Sequence, residues 1–228
     1  MPHKESHLKN AAFISDIVIG MSDGLTVPFA LAAGLSGAVH TNKLIIVAGV
    51  AEIIAGSIAM GLGGYLAGKT EIDHYKSELK REYQEIEEVP DVERDEVKEI
   101  FADMGISGQL QDMVAHELIR DKNKWANFMM KYELGLEEPD KKRARKSAFN
   151  IGAAYIAGGT IPLLSYIFTN NPVTGFRLSF FITVVCLLIF GYFKSKLTGQ
   201  EPVKGALKVT VIGVVAAMSA YLLVRLIG

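Results

Sequence analysis

The sequence predicts an all-α membrane protein with five transmembrane helices and a three-helix cytosolic domain inserted between helices 2 and 3. Half of the residues are hydrophobic, yet 21% are charged. The two classes are segregated, because residues 69–140 hold 20 of the 25 acidic residues but 10 of the 24 Lys and Arg residues. This mixture does not fit a single soluble core. The acidic stretch would repel a phosphate backbone, so we expect no nucleic acid partner.

Five apolar stretches approach the roughly 20 residues that a helix needs to cross a bilayer core of about 30 Å. They cover residues 11–35, 44–67, 148–168, 178–193 and 206–227. The third and fifth carry no charge apart from Lys208 and Arg225 near the ends of the fifth. The first two contain carboxylates, which are the more informative feature.

The distribution of Lys and Arg around these stretches predicts the orientation of the chain. With a cytosolic N-terminus, the outer side would hold Lys43, Arg177 and Arg225. The inner side would then hold Lys4, Lys9, Lys141, Lys142, Arg143, Arg145, Lys146, Lys194, Lys196 and Lys204. Cytoplasmic loops carry an excess of such residues, so we expect the N-terminus and the acidic domain to be cytosolic. The first stretch is too long and too acidic for a cleaved signal and should remain as an anchor.

The predicted domains are residues 1–68 with transmembrane helices 1 and 2, an acidic metal-binding domain at 69–146, and residues 147–228 with helices 3 to 5. Within the insert we expect helices over 72–88, over 91–104, and from Ser107 or Gly108 to about residue 132. Pro90 cannot continue a helix, and Asp91 can cap the next one. The domain looks too short and too charged for a large core, so we expect a neighbour, partner or ion to make it rigid.

Three acids lie at membrane depth, namely Asp16, Asp23 and Glu52. An ionised side chain near the bilayer centre costs at least ~3 kcal/mol, which indicates a polar pathway, a cation or protonation. Asp16 and Asp23 share a helix face about 10 Å apart, and Glu52 shares one with Met60. The alternative for Asp16 is a solvated position near the interface.

The insert carries carboxylates at spacings that suit a shared metal ion. Three-residue spacing places Glu82 with Glu85, and Glu93 with Glu96, on one face of each helix around the Pro90 turn. Met129, Met130 and Glu133 follow on the third predicted helix. Thioether ligands beside carboxylates shift the preference from Mg²⁺ or Ca²⁺ towards Fe²⁺. The alternative is an ordinary solvated face with methionine as core filler.

Other chemistries lack their motifs. The single Cys186 allows no intrachain disulfide and no thiolate zinc site. The pair Glu71 and His74 forms one ExxH motif, whereas ferritin-like di-metal sites use two. There is no phosphate-binding loop or nucleophile motif, so any uphill transport must use a gradient rather than ATP hydrolysis by this chain.

Two segments closely resemble the vacuolar iron transporter family of plants, fungi and protists. They are residues 15–34, SDIVIGMSDGLTVPFALAAG, and residues 51–67, AEIIAGSIAMGLGGYLA. The resemblance implies a homodimer in the vacuolar membrane that exports cytosolic Fe²⁺ in exchange for protons. It implies a pathway at the dimer interface through Asp23, Glu52 and Met60, and a cytosolic metal-binding domain. The implied ligands of that domain are Glu82, Glu85, Glu93, Glu96, Met129, Met130 and Glu133.

A proton-coupled Fe²⁺ transporter is therefore the leading hypothesis, with Asp16 as a further pathway residue and no permanent cofactor. Mn²⁺ and other divalent transition metals remain open as substrates. A passive divalent cation channel and a membrane-anchored di-metal carboxylate enzyme are the alternatives. The N-terminus is short for the family, so we expect this numbering to begin inside a longer protein.

Overall fold

The computed structural model describes residues 11–106 and 108–227, and all regular structure in those residues is α-helical. The helices are α1 (Ala11–Ser36), α2 (Asn42–Glu88), α3 (Pro90–Asp103), α4 (Gln109–Ile119), α5 (Lys122–Tyr132), α6 (Arg143–Ile167), α7 (Pro172–Leu197) and α8 (Pro202–Ile227). Lys4, Lys9 and Ser107, which the sequence analysis used, lie outside the described residues.

Five of the described helices are long and apolar enough to cross a membrane, namely α1, α2, α6, α7 and α8. They contain the five predicted stretches, except that α6 ends one residue before the predicted end at 168, so the all-α class and the five spans are confirmed. The helix ends differ from the predicted ends. Helix α7 begins six residues early because the Asn171 side chain accepts a hydrogen bond from the Val173 amide at 2.8 Å. Pro172 also suits the first position of a helix.

The chain forms two compact units. The membrane unit comprises the residues up to Tyr65 together with those from Ala144 onward, and the acidic unit is Leu66–Arg143. Helix α2 contributes to both, which corrects the prediction of a separate helix over 72–88. Residues 69–88 contain neither glycine nor proline, so nothing in the sequence ends α2 before Glu88. The predicted apolar stretch 44–67 lies within α2.

The acidic unit does not have the predicted three-helix arrangement. It contains the end of α2 followed by α3, α4 and α5. The helix predicted to reach residue 132 divides at Asp121, whose side chain accepts hydrogen bonds from the amides of Asn123 at 2.9 Å and Lys124 at 3.3 Å. These bonds start α5 as a new helix because they satisfy amides that have no partner within it.

The acidic unit has its own hydrophobic core, and the expectation that it needs neighbouring helices, a partner or an ion to become rigid stays a prediction. The buried core residues are Ile86, Val97, Phe101, Ala115, Trp125, Ala126 and Met129. They come from all four helices of the unit, so each helix buries one apolar face. In the membrane unit, α1 packs against α7 and α8. Buried Phe29, Ala33 and Ala217 form part of that contact.

Candidate functional site

Helices α1 and α6 cross with their backbones in contact beside Asp23. A Cβ atom at Gly24 would lie 2.9 Å from the Cα atom of Tyr155, and one at Gly158 would lie 2.9 Å from the Leu25 amide nitrogen. Small residues permit such close approach of membrane helices. The glycines of α1 and α6 therefore bring Asp23 and Tyr155 into the same neighbourhood.

Tyr155 contacts one membrane carboxylate directly and packs beside the helix that carries another. Its hydroxyl group donates a hydrogen bond to Glu52 Oε1 on α2. On α1, Asp23 directly precedes Gly24, the residue whose backbone packs against the backbone of Tyr155. Within the described residues, the second oxygen of Glu52 is buried and has no hydrogen-bond partner. The structure thus places Asp23 and Glu52 in the neighbourhood of one tyrosine, which the sequence analysis missed.

The ring of Tyr155 lies against α2 between Glu52 and Met60. Gly56 is one turn after Glu52 and one turn before Met60, and a Cβ atom there would lie 2.6 Å from Cε1 of Tyr155. Glycine therefore makes the room that the ring occupies. Met60 is half-buried, one turn further along α2. A carboxylate, a phenol and a thioether consequently follow one another along this face of α2.

Asp16 is a buried contact between α1 and α6 rather than a solvated group. Its side chain is 1% exposed. It accepts hydrogen bonds from Ser147 Oγ at 2.9 Å and from Asn150 Nδ2 at 3.2 Å. The solvated-interface alternative for Asp16 is therefore wrong. Its place in a translocation pathway stays a prediction.

In the acidic unit, Glu82 and Glu93 are buried without full hydrogen bonding. They are 3% and 4% exposed, and Oε2 of each has no hydrogen-bond partner among the described residues. Burial, followed by the charges of Glu133, Glu93, Glu85 and Glu96, raises the pKa of Glu82 to about 8. Burial and the neighbouring charges, led by Glu96, raise the pKa of Glu93 to about 7. Both groups therefore hold protons near neutral pH, where ordinary glutamates are ionised.

The other acids of the cluster are more accessible. Glu85 is half-buried and accepts a hydrogen bond at 3.0 Å from Nε of Arg81. Partial desolvation, with the charges of Glu96 and Glu85, raises the pKa of Glu133. In the part of the chain that the structure describes, no three His, Cys, Asp or Glu side chains already converge closely enough to hold one ion. The five glutamates are electrostatic neighbours, and their role as ligands stays a prediction.

The two methionines at the end of α5 are fully buried. Met129 belongs to the hydrophobic core of the unit, whereas Met130 is not among the residues of that core. The Met129 carbonyl accepts a hydrogen bond from the amide of Glu133 at 2.9 Å, so the end of α5 fixes the position of this acid. Core packing accounts for Met129, and a ligand role for either sulfur atom stays a prediction.

Comparison with known proteins gives the family. The model of the VIT family matches residues 14–225. The chain is 50% identical to vacuolar iron transporter 1 of Eucalyptus grandis over 96% of this chain and 88% of that protein. It is 48% identical to vacuolar iron transporter 1 of Arabidopsis thaliana over 99% and 90%. It is 40% identical to protein CCC1 of Saccharomyces cerevisiae over 94% and 69%. The chain therefore belongs to the VIT family.

Proposed function

We propose that this protein moves Fe²⁺ from the cytosol into the vacuole in exchange for protons. Its relatives are named vacuolar iron transporters, which supports a transporter of iron rather than an enzyme. The single observation that carries the proposal is the hydrogen bond from Tyr155 to Glu52 beside the close contact of α1 and α6 next to Asp23. Uncompensated, each ionised acid would cost at least ~3 kcal/mol at this depth. A bound cation or a proton removes that cost.

The proposed exchange of Fe²⁺ for protons rests on the two ways in which the charges of Asp23 and Glu52 can be neutralised, by a metal ion or by protons. Two ionised carboxylates and the Met60 thioether form a mixed oxygen and sulfur ligand set that suits Fe²⁺. Metal binding needs the acids deprotonated, so binding releases protons. When the ion leaves, protons neutralise Asp23 and Glu52 in its place. The Tyr155 hydroxyl group holds Glu52 in one orientation and leaves its second oxygen for the ion.

The acidic unit collects metal on the cytosolic side. Its proposed ligands are Glu82, Glu85, Glu93, Glu96, Met129, Met130 and Glu133. Glu82 and Glu93 would exchange protons for a cation near neutral pH, because their pKa values lie at about 8 and about 7. A cation would also draw the accessible Glu85 away from Arg81. Without an ion, the five neighbouring carboxylates repel one another when they are ionised. A bound cation would relieve that repulsion and be stabilised by the same charges.

A homodimer with the pathway at its interface completes the proposal. Asp23 and Glu52 are only half-buried within one chain although both lie in membrane spans. Burying charged groups in lipid is costly, so a second copy of the chain is the favoured cover for this face. The lysines and arginines at the span ends support a cytosolic acidic unit in a multi-pass vacuolar membrane protein. We also propose that Mn²⁺ and other divalent transition metals compete with Fe²⁺.

The test is Fe²⁺ uptake into proteoliposomes under anaerobic conditions, with and without an imposed proton gradient that is acidic inside. We expect uptake against a metal gradient when the proton gradient is present. Alkalinisation of the lumen should accompany the uptake. Uptake that follows the metal gradient alone would support the passive channel and overturn proton exchange.

Variants assign the coupling to specific residues. We expect Asp23→Asn and Glu52→Gln to abolish coupled uptake, since neither amide can exchange a proton. Tyr155→Phe should slow uptake about 10- to 100-fold, the equivalent of one hydrogen bond to a charged group. Thr26→Val is the matched control, because Thr26 Oγ1 bonds within α1 to the Ser22 carbonyl. Normal uptake by either carboxamide variant would remove that acid from the mechanism.

A further inference from the structure

A basic cavity of about 400 Å³ lies where α7 ends and α8 begins, away from the carboxylates described above. Three lysines line it, namely Lys194, Lys204 and Lys208, together with Glu201. Lys204 pairs with Glu201 at 2.9 Å. Neither Lys194 nor Lys208 has an ion pair with any described residue. The cavity thus holds two uncompensated ammonium groups and an excess positive charge.

The basic cavity adjoins an apolar groove. Lys194 also lines a second cavity of about 240 Å³ between α1 and α7. The other residues of this groove include Ile14, Ile17, Val18, Phe190, Phe193 and Leu197. Lys194 therefore stands at the junction between a cationic cavity and a surface of aliphatic and aromatic side chains. A ligand that fills both must have an anionic end and a long apolar end.

The position of the lysines along their helices fits the bilayer surface. Lys194 is in the last turn of membrane helix α7, and Lys204 and Lys208 are in the first two turns of membrane helix α8. Lysines at helix ends direct their ammonium groups to the headgroup level while their stems cover apolar surface. Basic sites between membrane helices at this level attract anionic lipid headgroups.

We propose that the α7–α8 cavity is a binding site for one anionic phospholipid. The lipid phosphate lies between Lys194 and Lys208, and an acyl chain follows the groove between α1 and α7. A free phosphate ester offers the same charge to the lysines but nothing to the groove. The apolar groove is the reason for assigning the site to a lipid of the adjacent leaflet.

The experiment is native mass spectrometry of the detergent-purified full chain titrated with dioleoyl phosphatidic acid and, separately, with dioleoyl phosphatidylcholine. We expect one phosphatidic acid molecule to be retained in preference to phosphatidylcholine. Lys194→Gln with Lys208→Gln should weaken that binding about 30-fold, because each lysine near an anionic surface contributes roughly a fivefold factor. Lys43→Gln with Lys196→Gln is the matched control, since both lysines are exposed and neither lines the cavity. The control should bind as the unmodified chain does.

Two further measurements complete the experiment. One distinguishes a lipid from a free phosphate ester, and the other distinguishes loss of binding from loss of folding. Glycerol 3-phosphate at the same concentration should not displace phosphatidic acid, and displacement would overturn the assignment to lipid. Lys194→Arg with Lys208→Arg retains both charges and should retain the lipid. Equal retention of the two lipids by the unmodified chain would overturn the proposal without any variant. Equal affinity of the glutamine pair and its control would also overturn it.

Discussion

The substitution Glu82→Gln should stabilise the metal-free acidic unit while removing part of its response to metal. Glu82 is 3% exposed, and its pKa is raised from 4.5 to about 8 by burial and by four neighbouring acids. Between those two pH values the folded unit binds this proton more strongly than the unfolded chain does. The free energy of unfolding therefore falls as the pH rises from about 4.5 to about 8. Glutamine does not titrate, so it removes this dependence.

The expected magnitude follows from the same pKa. At pH 7.5 the unfolded chain ionises Glu82, whose pKa there is near 4.5, whereas the folded unit keeps its proton. This difference lowers the free energy of unfolding by about 4 kcal/mol as an upper limit. The glutamine amide is buried in turn without all its hydrogen bonds, at a cost of about 1–3 kcal/mol. We expect a net stabilisation of about 1–3 kcal/mol at pH 7.5 and none at pH 5.

Trp125 provides the assay because it is the only tryptophan in the sequence and lies in the core of the acidic unit. Its fluorescence in urea should report unfolding of this unit within the full chain. Metal at 100 times its dissociation constant should stabilise the unmodified unit by about 2.7 kcal/mol, and this gain should shrink in Glu82→Gln. Glu99→Gln, on the exposed side of α3, is the matched control.

Two results would refute this reasoning. One is a Glu82→Gln unit that is less stable than the unmodified unit at pH 7.5. The other is an unchanged stabilisation by anaerobic Fe²⁺ in that variant. The first result would make Glu82 a structural polar group of the core. The second would mean that the carboxylates of this face do not form a metal site around it.

Three further predictions concern both units. Gly56→Ala should push the Tyr155 ring off α2 at a cost of about 1–3 kcal/mol and slow Fe²⁺ uptake roughly tenfold. The control is Gly63→Ala, which should leave uptake unchanged because a Cβ atom there would meet no atom within 4 Å. Equal uptake rates for the Gly56→Ala and Gly63→Ala variants would refute the packing argument. Asp16→Ala should lower the melting temperature of the detergent-solubilised chain by removing buried hydrogen bonds worth about 1–3 kcal/mol, and an unaltered temperature would contradict that role. Calorimetric Fe²⁺ affinity should fall as the pH drops from 8 to 6, because Glu93, with a pKa of about 7, takes up its proton there; a flat profile would oppose proton exchange.

Hydropathy was sufficient to predict the spans because a lipid-facing helix must be apolar over its whole length. It could not predict where α2 ends, since the apolar pattern stops at residue 67 while the helix continues to Glu88. The end of α2 depends on the absence of glycine and proline over 69–88, which was readable in the sequence. The division between α4 and α5 was also readable, because Asp121 precedes two free amides in the position of an N-cap. The sequence has a helical pattern on both sides of Asp121, so the division was predicted as one continuous helix.

Their position within apolar spans selected Asp23 and Glu52, but it could not reveal that Tyr155 lies near both. Tyr155 lies more than 100 residues further along the chain, and its position depends on glycines of two other helices. No signal within one helix reports such a contact. Spacing likewise placed Glu82 with Glu85 on one face, but it could not show that Glu82 is buried and Glu85 is paired with Arg81. Those differences arise from the packing of α2 against α3 and α5.

The protonation of the acidic unit bears on the choice between a channel and an exchanger. A passive channel needs ionised carboxylates that attract cations, and exposed glutamates with ordinary pKa values supply them. Burial of Glu82 and Glu93 instead brings their pKa values to about 8 and about 7. At the proposed metal site, a proton would then compete with a divalent cation for the same oxygens near neutral pH. We therefore expect metal binding by the acidic unit to release protons near neutral pH, and the proteoliposome assay decides whether transport itself is coupled to protons.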